Sequence, residues 1–178
     1  TKKDQMMVTV DLQMSMFSRV LRYEENLKRR TPNDSLVVGI IYQGESAQSI
    51  LVKEEVTAAI ADLAQIGDYT KVGAVPIRVS SATDLVREID RHGIHIIYVA
   101  PLLEAKKDVE EIARATRSRK VLTMTGVPDY LKQGLAVSIE TTSSHRPMII
   151  FNLPVVDAEG CSFQAHLLQK ATIVSYWE

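Results

Sequence analysis

The sequence predicts a single three-layer α/β/α domain, with a mostly parallel sheet of about six strands and an antiparallel C-terminal part. Three observations carry this. Apolar runs rich in β-branched residues, such as 36–42 (LVVGIIY) and 94–100 (IHIIYVA), read as strands buried on both faces. Amphipathic stretches with apolar residues every three or four positions lie between such runs. The last two strand-like runs, 134–141 and 148–153, are joined only by 142–147, too short for a helical crossover, so they should be antiparallel.

Taken in order, residues 1–11 read as a flexible entry and 12–178 as one domain. Helical spacing begins at Leu12 and continues through Met16, Val20, Tyr23 and Leu27 to about Arg30. The Lys28-Arg29-Arg30 run suits the negative pole of a helix end. Thr31-Pro32-Asn33-Asp34 is a turn, and the first strand follows. Residues 46–63 read as a helix with Ile50, Leu51, Val56, Ile60 and Leu63 facing inward. The second strand, 72–80, contains Pro76, which cannot donate to a ladder, so an edge position or a bulge is expected. Ser81 or Thr83 should cap the next helix, and His92-Gly93 should stop it. After the third strand and Pro101, residues 103–117 form another helix. Its Lys106/Glu110 and Lys107/Glu111 pairs belong to a solvated face. The stretch 120–130 (KVLTMTGVPDY) is a fourth strand that breaks at Gly126, with Pro128 opening a short helix. Phe163, Leu167, Leu168, Ala171 and Val174 mark a closing helix over 163–175.

Composition limits function. The 178 residues are 46% hydrophobic and 24% charged, the balance of a globular domain, with formal net charge −1. That charge argues against a nucleic-acid binder, which needs a basic face. No apolar run approaches the roughly 20 residues that span a bilayer. A single cysteine, Cys161, excludes an intrachain disulfide and a multi-thiolate zinc site. The chain begins at Thr1, not Met, which raises two expectations: a removed signal peptide, or an arbitrary missing piece ahead of it.

The motifs for chemistry are sparse. There is no G-x-S-x-G elbow, no Walker sequence and no G-x-G-x-x-G after the first strand. His92, His95, His145 and His166 form no metal-ligand spacing. Cys161 has no accompanying nucleophile signature and reads as packing. Glu45 near a helix start would repel a phosphate there. No cofactor, no metal and no catalytic residue are therefore expected. What remains is a polar rim at the carboxyl ends of neighbouring strands: Tyr42, Gln43, Ser46, Pro101, Thr123, Thr125 and Gly126. Open α/β sheets hold small ligands at such a rim. The competing reading, in which the threonines only satisfy turns and a helix start, is the stronger one.

Three segments carry a family resemblance: 36–43 (LVVGIIYQ), 121–137 (VLTMTGVPDY…GLAV) and 149–168 (IIFNLPVVDAEGCSFQAHLL). They resemble the YfiR-like family of bacterial envelope proteins. The third is the most specific, with Asn152-Leu153, Ala158-Glu159-Gly160, Phe163 and Leu167-Leu168 in order. The resemblance implies a non-enzymatic periplasmic domain, with a signal peptide removed ahead of Thr1. The family's best-known member restrains a membrane-bound diguanylate cyclase and is sequestered by an outer-membrane lipoprotein. It implies as partners a membrane-bound signalling protein, an outer-membrane lipoprotein, or both. That member carries disulfides, which the lone Cys161 cannot reproduce within this chain. Two function classes follow. One is a regulatory or sensory protein acting by protein contact, also as a homodimer, with Leu12, Met16 and Tyr23 of the first helix as contacts. The other is a small-molecule (solute) binding domain using the strand-end rim.

Overall fold

The computed structural model describes residues 6–63 and 65–177. Its centre is a seven-stranded sheet in the order β2-β1-β3-β4-β5-β6-β7. The strands are β1 (Ser35–Tyr42), β2 (Lys71–Arg78), β3 (Ile96–Val99), β4 (Leu122–Thr125), β5 (Val137–Thr141), β6 (Pro147–Asn152) and β7 (Thr172–Val174). β1 to β5 run parallel. β5 and β6 are antiparallel, pairing Val137 with Phe151 and Thr141 with Pro147, as their short connection requires. β2 is an edge strand, and Pro76 lies in it, in register with Ile40.

Two apolar layers clamp the sheet. On one face, α1 (Val10–Leu21) and α2 (Ala47–Asp62) cover Val38, Ile40, Ile96, Tyr98, Leu122 and Met124. On the other, α3 (Leu85–His92) and α4 (Ala105–Arg119) cover Ile41, Ile97 and Val99. Alternation along each strand feeds the two layers in turn, so the central strands are apolar at nearly every position.

The departures from the sequence reading have local causes. The first helix begins at Val10 and ends at Leu21, not near Arg30. The Glu24 carboxylate gathers the backbone N–H groups of Asn26, Leu27 and Ser162, and the chain turns into a 3-10 segment over Leu27–Arg30. Of the expected flexible entry, residues 1–5 lie outside the described residues, while Val8 and Val10 are buried. Leu51, expected to face inward, is 54% exposed; Ser49, Val52, Val56, Ala59 and Ile60 form the buried row. Asp84, not Ser81 or Thr83, caps α3, accepting from the Arg87 N–H at 3.2 Å, and Gly93 closes it in the left-handed region.

The closing helix over 163–175 is replaced by a short α6 (Ala165–Leu168) and by β7. Thr172, Ile173 and Val174 are all β-branched and favour an extended backbone. Pairing parallel to β6 at Ile150–Thr172, Phe151–Ile173 and Asn152–Val174, they cover an edge that would otherwise be open. The sequence reading also missed α5 (Leu153–Ala158), which Pro154 opens in its first turn.

Candidate functional site

The strand order places a topological switch point between β1 and β3, the crevice where open α/β sheets take ligands. Here side chains of the chain itself span it. The Gln43 side-chain carbonyl accepts from the Leu103 N–H at 2.5 Å, tying the end of β1 to the loop after β3. The Gln43 N–H donates to Ser49 Oγ at 2.8 Å, and Ser46 Oγ caps α2 by accepting from the Ser49 N–H at 3.2 Å. Tyr42 is half-buried beneath the Lys53 ammonium, 4.8 Å from its ring centroid, and Pro101 is buried.

The carboxyl end of β4 is closed as well. The Thr125 hydroxyl donates to the Val99 carbonyl at 2.9 Å and accepts from the Val127 N–H at 3.1 Å. Gly126 is not among the glycines with positive φ, so its role differs from the conformational one expected of it. A Cβ there would lie 2.5 Å from Gln13 Nε2, 2.6 Å from Gln13 Oε1 and 2.7 Å from Met6 Sδ. Glycine lets the first helix settle directly on the strand end. Gln13, fully buried, accepts from the Tyr98 hydroxyl at 2.6 Å and donates to the Val8 carbonyl at 2.8 Å. Burial raises the Tyr98 phenol far above its ordinary range, so the pair is neutral.

The amino end of β4 holds a different device. β4 and β5 pair only at Met124–Val137 and Thr125–Ser138, so the strands diverge at Thr123. The Glu159 carboxyl enters that gap. It accepts from the Thr123 N–H at 2.9 Å, contacts Thr123 Oγ1 at 3.0 Å and Thr116 Oγ1 at 3.1 Å. The Ala136 N–H donates to Thr123 Oγ1 at 2.9 Å. Glu159 is wholly buried, and desolvation, only partly opposed by these hydrogen bonds and by Arg117, pushes its pKa up to about 8. Thr123 and Thr125 thus spend their hydroxyls on the fold, and the seven rim residues are distributed around several closed contacts.

Cys161, beside this cluster, is buried, and desolvation followed by the Glu24 charge pushes its thiol up to about 12, which opposes thiolate formation. Among the described residues no group of three or more His, Cys, Asp or Glu converges on a metal site. No helix among them is long and apolar enough to cross a membrane. The first helix buries Val10, Gln13, Met14, Phe17, Val20 and Leu21. Of the three expected helix contacts, Leu12 is 38% exposed, Tyr23 is 36% exposed but lies beyond the helix end, and Met16 is half-buried against the core. The Tyr23 ring meets His166 edge-on at 4.9 Å.

Gln13, Tyr98, Glu159 and Asn152 carry the buried polar structure, and sequence reasoning assigned none of them a role. The local signals were a glutamine within an otherwise apolar helical row and the family-like Asn152-Leu153 and Ala158-Glu159-Gly160 segments. Partnering across 85 residues, as in Gln13 to Tyr98, leaves no trace in local spacing.

These features define a class: an open, mostly parallel α/β domain whose switch point is bridged by its own side chains. Three solved structures share the fold. A conserved domain protein from Vibrio cholerae O1 biovar El Tor aligns with TM-score 0.65 and 14% identity, over 92% of this chain and 59% of that one. A substrate binding protein with adhesive properties from Clostridium difficile, ligand-free and open, gives 0.62 and 14%, over 96% and 61%. An ABC domain in complex with L-Trp from Streptococcus pneumonia gives 0.59 and 12%, over 93% and 62%. The chain thus spans about three-fifths of the length of each. No curated protein matches it in sequence. The chain belongs to the YfiR/HmsC-like family, whose model matches residues 12–172.

Proposed function

We propose that this chain is a non-enzymatic periplasmic regulatory or sensory protein that acts by protein contact, restraining a membrane-bound signalling enzyme such as a diguanylate cyclase. The family membership supports this, and one observation of the molecule carries it. Gln43 ties the end of β1 to the loop after β3, and Gln13 and Met6 pack on the end of β4, while Leu12 of the first helix and Tyr23 just beyond it are exposed. Exposed apolar side chains such as these are suited to a partner or to a second copy.

The test is to immobilise the chain and pass over it a detergent-solubilised envelope fraction from its source cells. A stoichiometric inner-membrane signalling protein, or an outer-membrane lipoprotein, should be retained. Leu12→Asp and Tyr23→Asp should each weaken that capture, or self-association measured by sedimentation, about tenfold or more. Their urea midpoints should stay near wild type, since both residues are surface positions. Capture unaffected by both substitutions would remove this helix face from the interface.

A second reading, solute binding at the strand ends, draws on the switch point between β1 and β3. It requires Gln43 or Gln13 to swing aside. Gln43→Ala, which clears the crevice, should then strengthen thermal stabilisation by the solute while the domain stays folded; no change would remove the crevice from the site.

A further inference from the structure

Away from the strand ends, a cleft of about 240 Å³ opens between α4, the 3-10 turn Pro128–Gln133 and the C-terminal tail. Its charge is lopsided: Arg114, Arg117 and Lys132 line it against Glu110 alone. Lys132 is partly engaged by Asp129 at 3.5 Å. The Arg117 guanidinium crosses Gly134, donating through Nη2 to its carbonyl at 3.3 Å, and a Cβ at Gly134 would sit 2.4 Å from that nitrogen. Its face stacks on the Trp177 indole at 4.6 Å, leaving its edges for hydrogen bonds.

Two buried polar atoms here have no partner among the described residues: the donor Arg117 Nε and the acceptor Gln133 Oε1. Unmet buried groups are costly, and a donor and an acceptor unmet in two residues that line one cleft point to a ligand able both to accept and to donate once those side chains turn to meet it. The walls are also held in place. Asn152, fully buried, directs its two amide hydrogens at the carbonyls of Leu131, Leu135 and Tyr176, one of them shared between two acceptors, and accepts from the Tyr176 N–H at 2.9 Å. One side chain therefore fixes both the 3-10 turn and the tail that carries Trp177.

We propose that this cleft binds a small phosphate-type oxyanion, whose oxygens accept from Arg117 and whose P–OH donates to Gln133. A monohydrogen phosphate head supplies both the charge that Arg114, Arg117 and Lys132 call for and the donor that a carboxylate or a sulfate lacks at neutral pH. Trp177 is 54% exposed and lies over the Arg117 guanidinium, so its fluorescence should respond when that guanidinium takes a ligand. This site does not depend on the regulatory reading above.

Trp177 is the only tryptophan, so its fluorescence reports on the cleft directly. The full chain is titrated at pH 7 and constant ionic strength with inorganic phosphate, glycerol phosphate and sulfate. Phosphate should give a saturable change, with sulfate at least tenfold weaker; glycerol phosphate, mostly the dianion without P–OH at pH 7, should bind more weakly than phosphate there and approach it at pH 5.5. Arg117→Gln should weaken phosphate at least tenfold. Gln133→Met, which leaves the guanidinium in place, should erase the preference for phosphate over sulfate and so tests the site even if Arg117→Gln fails to fold. A non-saturating response, equal affinity for phosphate and sulfate in the wild type, or a preference unchanged in Gln133→Met would each overturn the proposal.

Discussion

The two ends of β4 are sealed in opposite ways. At the carboxyl end, Gln13 and the Tyr98 hydroxyl form a neutral pair over Gly126. At the amino end, Glu159 fills the gap between β4 and β5 and supplies the acceptor that the Thr123 N–H would otherwise lack. Both are buried and hydrogen-bonded, yet only one titrates near physiological pH. A neutral seal is indifferent to its surroundings, whereas a buried carboxyl makes the fold's stability depend on them.

The largest expected effect breaks the amino-end seal. Glu159→Ala removes the partner of the Thr123 N–H and of the Thr116 hydroxyl and leaves a cavity. It should cost about 3–5 kcal/mol in urea unfolding. Glu159→Gln should stay within about 1.5 kcal/mol of wild type at pH 5, because the protonated carboxyl and the amide have nearly the same shape. In the neutral acid every proton can be placed. Thr123 donates to Oε1, the Glu159 O–H donates to Thr116 Oγ1, and the Thr116 hydroxyl turns to the Ala113 carbonyl at 3.1 Å.

Next in size is the pH dependence. Folding raises the Glu159 pKa from an ordinary carboxylate value to about 8. The folded state holds the proton more tightly, so its advantage is complete below the ordinary value and is lost as pH rises through about 8. Wild type should therefore lose on the order of a few kcal/mol between pH 5 and pH 9. Glu159→Gln should show little of this slope and should be the more stable protein at pH 9. A wild-type urea midpoint that rises over that range would show that Glu159 is not the controlling group.

The contrast between the seals also marks what was legible in the sequence. The parallel strands, the Pro76 edge and the antiparallel β5–β6 pair follow from apolar runs, a missing donor and connection length, all of which are local. The helix expected over 163–175 failed because Leu167, Leu168, Ala171 and Val174 fit a helical spacing, while the neighbouring β6 edge recruited the β-branched Thr172–Val174 segment. Thr125 lies at the breaking carboxyl end of β4 as expected, whereas Thr123 lies toward the amino end, away from the rim it was assigned to. Their partners were hidden, because Glu159 lies 36 residues from Thr123. Gly126 was noticed for the wrong physical reason, since its need for glycine comes from Gln13 and Met6, far away in the chain.

The smallest expected effect separates the two ends by chemistry. Tyr98→Phe removes a hydroxyl and leaves the buried Gln13 Oε1 without its 2.6 Å partner. The Gln13 amide keeps its bond to the Val8 carbonyl, so the helix should stay docked. The cost should be about 1–2 kcal/mol, that of one buried acceptor left unmet. Because the Tyr98 phenol is held neutral well beyond the physiological range, this loss should be the same at pH 5 and at pH 9. Urea unfolding of Tyr98→Phe at both values, alongside Glu159→Gln, makes the comparison direct. A pH-dependent loss in Tyr98→Phe would mean that the two ends of β4 are coupled through the strand and do not act as independent seals.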